Sequence, residues 1–299
     1  MTHETVLKVE AIAALNIKKD GIYIDGTLGG AGHSEKILEN LDQNGHLYAF
    51  DQDMFAIDYA KNRLEKYQNI TYIHSNFKHI TKELNQRGVF GVDGILLDLG
   101  LSSFQIDDQA RGFTYLKDTQ LDMRMDQKSQ ITAETILNTY DEKELAHMFF
   151  VYGEEKNSFK IARRIVEHRP LKTTMDLVKI TDQVNYKDKG HSAKRVFQAL
   201  RIAVNDELMA LEAVLKQAIE LLNPNGRLVV ISFHSLEDRI VKHFIKKYSE
   251  HDIPKNLPVV TLPKLPLKVI TRKPVYPSDR EIEENPRSRS AKMRVAEKQ

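Results

Sequence analysis

Three aspartates, each closing a short apolar run, are the residues best suited to chemistry in this 299-residue chain. Asp25 ends Ile22-Tyr23-Ile24, Asp51 ends His46-Leu47-Tyr48-Ala49-Phe50, and Asp98 ends Gly94-Ile95-Leu96-Leu97. Runs of this length suit buried strands, so the acids fall at strand ends. In an open α/β sheet, ligands bind beyond the carboxyl ends of the strands, where the chain order reverses. Gly26, Gly29, Gly30 and Gly32 follow Asp25, and glycines there allow a tight turn and a close approach to a ligand. The loop is not a dinucleotide fingerprint. Gly30-Ala31-Gly32-His33-Ser34-Glu35 begins G-x-G but places Glu35 where a third small residue belongs. An acid sits poorly beside a pyrophosphate and well beside a cationic sulfonium without phosphate.

The other strand ends extend this reading. Asp51 lies 19 residues after Gly32, where a carboxylate can accept hydrogen bonds from both hydroxyls of a ribose. Phe77, after the strand candidate Asn69 to His74, can pack on an adenine face. Asp98, followed by Leu99-Gly100-Leu101-Ser102-Ser103, stands where the reacting atoms usually lie. Together the glycine loop, Asp51 and Asp98 point to an S-adenosylmethionine site.

The elements that hold these residues alternate. Between the strand candidates lie helical stretches, clearest at Ile57, Ala60, Leu64 and Tyr67, which share one face. Such alternation argues for a parallel sheet covered by helices. From about Ile106 to Gly190 the pattern is helical, with loops and no convincing strand. Ala193 to Leu222 reads as one long helix with a break near Asn205-Asp206, stopped by Pro224-Asn225-Gly226. Strand candidates return at Arg227 to Ser232, Leu267 to Thr271 and Ala291 to Ala296. Ser235 with Asp238 resembles a capping box, and Pro254 to Pro266 reads as a proline-rich linker. The expected fold is α/β, a Rossmann-like sheet of class I methyltransferase type from residues 1–105 and 200–299. A mostly helical insertion is expected at 106–199, and its excess of basic residues suits an anionic partner such as RNA.

Composition limits the alternatives. With 41% apolar and 29% charged residues the chain falls in the ordinary globular range. The absence of cysteine excludes disulfides, thiol nucleophiles and cysteine zinc sites, and it fits a reducing cytoplasm. The first residues have no basic and apolar signal segment, and no run reaches the roughly 20 apolar residues of a membrane helix. The chain is thus expected to be soluble and cytoplasmic, with no membrane partner. The histidines are scattered, so no metal site is expected. Net charge is only +2, yet Tyr152 to Arg201 holds twelve Lys/Arg against six Asp/Glu. Lys268 to Gln299 holds nine against five. These basic segments suit an anionic partner or a solvated helical face.

Across nearly its whole length the sequence resembles the bacterial MraW/RsmH family, the 16S rRNA cytosine-N4 methyltransferases. The resemblance rests on nine ordered stretches. They begin with His3-Glu4-Thr5-Val6-Leu7, Asp25 to Ser34, Asp93 to Gly100 and Arg111-Gly112-Phe113. Leu121 to Met125, Tyr152-Gly153-Glu154-Glu155 and Ala193 to Arg201 follow, then Ser232 to Arg239 and Arg289 to Lys292. The resemblance implies a cofactor site at Ala31, Gly32, His33, Asp51, Phe77, Asp98 and Gln105, to which Gly30 of the loop is added. It implies as target a cytosine in the decoding region of the small subunit, so that 16S rRNA, within the 30S subunit, is the expected partner. The chain departs from the family pattern at Phe104 and Ser192, where proline is usual, and at Asn157, where phenylalanine is usual.

Methyl transfer to an exocyclic amine asks the protein for position and electrostatics. Asp98 is the first candidate to accept from the cytosine N–H groups, assisted by Ser102 or Ser103. His234 can orient the base, unless it is only a satisfied loop residue and Ser235 only a helix cap. Asp122 and Arg124 can contact base or phosphate, or Asp122 can instead pair with Arg124 or Arg111. Arg163, Arg164, Lys194, Arg195 and Arg201 form a candidate phosphate-binding cluster. Two rival functions are a non-catalytic RNA-binding assembly factor on the same scaffold and a nicotinamide-dependent oxidoreductase.

Overall fold

The computed structural model describes residues 5–187, 189–251 and 262–299, and the chain divides into two compact units. The first comprises residues 1–100 and 209–299, the second 101–208. The expected boundaries stood at 105/106 and 199/200. Much of the linker read at Pro254 to Pro266, and His3 and Glu4 of the first motif, lie outside the described residues.

The chain enters the first unit through α1 (Lys8–Leu15), β1 (Ile22–Asp25), α2 (Gly32–Asn40) and β2 (His46–Asp51). It continues through α3 (Met54–Arg63), β3 (Ile70–His74), α4 (Ile80–Asn85) and β4 (Val92–Asp98). The second unit carries α5 (Ser103–Asp107), α6 (Ala133–Thr139), α7 (Glu142–Gly153), α8 (Ser158–Glu167), α9 (Thr174–Val184) and α10 (Lys194–Asn205). The chain returns through α11 (Glu207–Leu221), β5 (Leu222–Ser232), α12 (Ser235–Ser249), β6 (Leu267–Val269), α13 (Asp279–Glu284) and β7 (Lys292–Lys298).

The strands form one sheet in the order β3-β2-β1-β4-β5-β7-β6. β7 runs antiparallel to both neighbours, and the pairs from β3 to β5 are parallel. All seven expected strands are present. The order reverses between β1 and β4, so the carboxyl ends of β1, β2 and β4 bring Asp25, Asp51 and Asp98 to one edge. Alternation along the strands feeds two cores. Ile24, Ile95, Leu97, Leu228 and Val230 pack with α4, α11 and α12, whereas Tyr23, Leu96, Val229 and Ile231 pack with α1, α2 and α3. Each such buried side chain contributes roughly 1.5–3 kcal/mol. Both faces are covered, so the strands read as continuous apolar runs and not as alternating ones.

Two local readings are refined. The break expected near Asn205-Asp206 occurs: Asp206 adopts a left-handed φ of 54° and ends α10 before α11 begins. Pro224-Asn225-Gly226 does not separate helix from strand. α11 passes directly into β5, and the turn forms an irregularity in the pairing between Val92 and Gly94, with Asn225 at φ 66°.

The second unit is helical around its own core of Leu137, Leu145, Phe149, Ile161, Leu177, Val196 and Leu200, all buried. Its described strand-like pairing is the isolated bridge Gln120–Thr173. Gly153 allows α7 to lie against α10, because a Cβ there would stand 2.5 Å from the Arg195 carbonyl oxygen.

Candidate active site

The glycine loop is shaped by a turn and by its own side-chain anchors. Ala31 N donates to the Leu28 carbonyl at 2.7 Å, and Gly29 and Ala31 take left-handed φ values of 46° and 61°. For alanine this conformation costs on the order of 1–2 kcal/mol, a strain that persists because both ends of the loop are fixed. Asp25 is buried, accepting from Ser34 Oγ at 2.7 Å and from Thr27 N at 3.1 Å. Burial pushes its carboxyl above the usual range, and the Ser34 and Thr27 hydrogen bonds oppose that rise. Gly32 opens α2 against Thr5, whose Oγ1 would stand 1.7 Å from any Cβ at this position.

Asp51 closes the other side of the loop. Its Oδ2 accepts from Gly29 N at 2.9 Å and its Oδ1 from Asp53 N at 2.8 Å. Each oxygen keeps a further lone pair, as a diol-binding carboxylate needs. Burial raises this carboxyl to about 6 against the lowering effect of both amides. Phe77, partly buried against the core, adjoins Gly26, whose Cβ would lie 3.5 Å from the Phe77 Cβ.

Asp98 holds the most unusual environment. Its amide donates to Thr27 Oγ1 at 2.7 Å, fixing the end of β4 to the loop. Its Oδ2 lies 3.6 Å from Nδ1 of the buried His33, whose Nε2 bonds the Val6 carbonyl at 3.1 Å. Oδ1 is enclosed without a hydrogen-bond partner, although the side chain as a whole keeps 19% of its surface exposed. Burial, reinforced by the negative charges of Asp25, Glu237 and Glu281, pushes the carboxyl up to about 8. A buried acceptor left unmatched costs stability and marks a place where a ligand donor or cation is wanted.

His234 caps α12 instead of Ser235, which is the first residue of that helix. The box pairs His234 with Glu237, not Ser235 with Asp238. Glu237 is buried, and its Oε2 accepts from Phe233 N at 2.8 Å and His234 N at 3.2 Å. His234 Nε2 lies 3.1 Å from Glu237 Oε1. Asp238 instead takes Arg294, with Nε at 2.6 Å.

Four site residues were not singled out as such in the sequence. Thr27 holds Asp98, while Glu237 and Glu281 add negative potential. Arg63 binds Glu35 at 2.6 Å and the Gly30 carbonyl at 2.6 Å, so the acid that broke the dinucleotide pattern pins the loop from outside. Glu237 and Thr27 lay within the recognised motifs. Arg63 and Glu281 carried no local signal.

The remaining candidates belong to the second unit. Ser102 caps α5, accepting from Gln105 N at 3.3 Å, and the buried Gln105 returns its Oε1 to Ser102 N at 3.1 Å. The side chain of Ser103 lies outside the described residues. Asp122 and Arg124 form a two-point ion pair at 2.8 Å for each bond, and Arg124 also donates to the Ser129 carbonyl at 2.7 Å. Arg195 pairs at 2.9 Å with the fully buried Glu155, and Arg201 with Glu207 at 2.8 Å. Arg163, Arg164 and Lys194 are exposed. The departures at Asn157 and Ser192 meet near Glu155: Asn185 bonds Glu155, Asn157 and the Ser192 carbonyl, and Ser192 Oγ bonds Asp182.

The unit-one residues fit S-adenosylmethionine on these observations. An unpartnered carboxylate oxygen stands among further acids, and the loop carbonyls and amides are held open by glycine. A dianionic pyrophosphate would meet repulsion at the same edge.

Comparison with known proteins bears on the same chain. The profile of the MraW methylase family matches residues 1–299. Ribosomal RNA small subunit methyltransferase H 1 of Acholeplasma laidlawii is 59% identical over 299 residues, covering 100% of both chains. Ribosomal RNA small subunit methyltransferase H of Onion yellows phytoplasma is 54% identical, over 99% of this chain and 97% of that one. The protein of the same description from Lactiplantibacillus plantarum is 51% identical over the same shares. No helix among the described residues is long and apolar enough to cross a membrane.

Proposed function

The chain belongs to the MraW methylase family and is an S-adenosylmethionine-dependent methyltransferase of small-subunit ribosomal RNA, and we propose that the methyl acceptor is the exocyclic N4 amine of a cytosine in the decoding region of 16S rRNA, reached within the 30S subunit in the cytoplasm. The observation that carries the site assignment is Asp98 at the end of β4, whose Oδ1 is enclosed without a hydrogen-bond partner.

The cofactor supplies a methyl group already activated on a sulfonium, so the protein needs no covalent intermediate. Asp51 receives the ribose hydroxyls and Phe77 backs the adenine. The loop from Gly30 to His33 supplies backbone close to the aminoacyl part. Asp98 accepts from the N4–H group, which draws the nitrogen lone pair out of conjugation with the ring and toward the methyl. His33 holds Oδ2 of Asp98 and leaves Oδ1 for this contact. Once methylated, N4 is strongly acidic and passes its excess proton to water, so no strong base is needed. Asp25, Glu237 and Glu281 favour positive charge at this edge and so favour the cationic cofactor over its neutral product. His234 and Ser102, both engaged in helix caps, then act by holding the backbone of their segments.

The test is transfer of labelled methyl from S-adenosylmethionine to 30S subunits lacking the modification, followed by nucleoside analysis. Label in N4-methylcytidine, lost in Asp98→Asn, is expected. Label in another nucleoside, or undiminished label in the variant, would overturn the assignment.

A further inference from the structure

The second unit carries an open groove of about 620 Å³ between α8 and the end of α9, lined by Phe159, Lys160, Arg163, Arg164 and Tyr186 among others. Two of these residues are out of place on a surface. Phe159 is 65% exposed and Tyr186 74% exposed, although burying an aromatic ring is strongly favourable. α8 explains how they come to be there. Ile161, Ala162 and Ile165 turn inward to the core, so Phe159, Lys160, Arg163 and Arg164 are left facing outward. Apolar side chains alone on that face would suit a protein helix. Three cations against one acid, Glu167, interleaved with two rings, suit something anionic that also carries flat apolar surfaces.

We propose that this groove binds an unpaired stretch of the small-subunit ribosomal RNA, with bases stacked on Phe159 and Tyr186 and phosphates held by Lys160, Arg163 and Arg164. The proposal rests on the rRNA substrate assigned above and adds a second point of contact for it. Single-stranded nucleic acid is bound by aromatic platforms within a basic groove, and sequence is little used. The charges match that chemistry. Lys160 is exposed. Among the described residues Arg163 and Arg164 make long, exposed pairs, to Glu142 at 3.5 Å and Glu167 at 3.9 Å. Such pairs yield readily to phosphate, unlike those of Arg195 and Arg201 with partly or fully buried acids. Lys187, 5.3 Å from the centre of the Tyr186 ring, brings a fourth cation to the rim. The groove therefore divides the basic cluster read from the sequence. Arg163 and Arg164 serve RNA together with Lys160, while Arg195 and Arg201 hold the unit together.

The experiment measures methylation of unmodified 30S subunits and cofactor binding in the same full-length preparations. Phe159→Ala combined with Tyr186→Ala is expected to raise KM for subunits by about tenfold or more, with kcat and the S-adenosylmethionine Kd changed less than twofold. Phe159→Tyr with Tyr186→Phe keeps both rings and should restore KM. Replacing Lys160, Arg163 and Arg164 by Gln should make the salt dependence of binding shallower by about two to three counterions. Subunits substituted with 4-thiouridine should crosslink within residues 158–187. An unchanged KM in the alanine pair, or crosslinks confined to other segments, would overturn the groove while leaving the methylation reading intact. Absence of methyl transfer by the unaltered protein would instead remove that reading.

Discussion

Replacing Asp98 by Asn should stabilise the protein while abolishing its activity, and the gain should grow with pH. The Asp98 carboxyl titrates at about 8 in the fold against 3.8 when unperturbed. Because the folded value lies above the unfolded one, both states are protonated below pH 4 and the group contributes nothing there. Between 3.8 and about 8 the unfolded chain loses this proton while the folded chain keeps it, so stability falls as pH rises. At about 1.4 kcal/mol per pH unit the full penalty reaches about 6 kcal/mol above pH 8. The side chain is 19% exposed, and water entry with relaxation should reduce this to about 3 kcal/mol. Asn is isosteric and never ionises, so Asp98→Asn avoids the penalty. Thermal unfolding of both proteins from pH 5 to 8.5 should show a lead of only about 1 kcal/mol at pH 5, where the unfolded group is already ionised. The variant should lead by about 6–12 °C at the upper end, given 2–4 °C per kcal/mol for a unit of this size. A lead that does not depend on pH, or a variant that melts lower at pH 8, would refute the reasoning. It would mean that His33 and the strand-end amides already neutralise the carboxylate.

Other consequences are equally direct. Asp51 titrates at about 6, so cofactor affinity should fall as pH drops below that value, and Asp51→Asn should bind S-adenosylmethionine at least tenfold more weakly with little pH dependence, as read by calorimetry. Gly153→Ala would drive a Cβ to 2.5 Å from the Arg195 carbonyl and should destabilise the protein by about 1–3 kcal/mol in urea unfolding. Glu155→Gln removes the counter-charge of Arg195, whose side chain is 39% exposed, and should cost about 1–2 kcal/mol, while cofactor affinity in the folded protein stays within twofold. Ala31→Gly relieves a left-handed alanine and should gain about 1 kcal/mol in the same assay.

The sequence by itself determined the strands and the acids that end them. Runs such as Ile95-Leu96-Leu97 are apolar on both faces because helices cover both, and a buried run with an aspartate at its end can be read without knowing its neighbours. The break at Asp206 was legible for the same reason: thirty residues exceed an ordinary helix, and an Asn-Asp pair is a local stop. Local sequence misled at the start of α12, because Ser235 and Asp238 have suitable types and spacing but lie one residue past His234 and Glu237. Ser235 has the usual cap type and Glu237 the usual acid three residues on, each in a different pair, so the local pattern does not decide between them.

What tertiary structure alone decided was the partner of each charge. Arg163, Arg164, Arg195 and Arg201 are equivalent in sequence, yet two face the exterior beside aromatic rings and two are locked onto Glu155 and Glu207. Glu35 reads as an acid facing a ligand until Arg63, 28 residues on, is brought against it. The perturbation of Asp98 likewise depends on Glu237 and Glu281, which the chain delivers from far downstream. Apolar periodicity is a property of neighbours along the chain and survives in the sequence. Electrostatic environment is a property of neighbours in space, set by the order in which β1, β4, β5 and β7 come together.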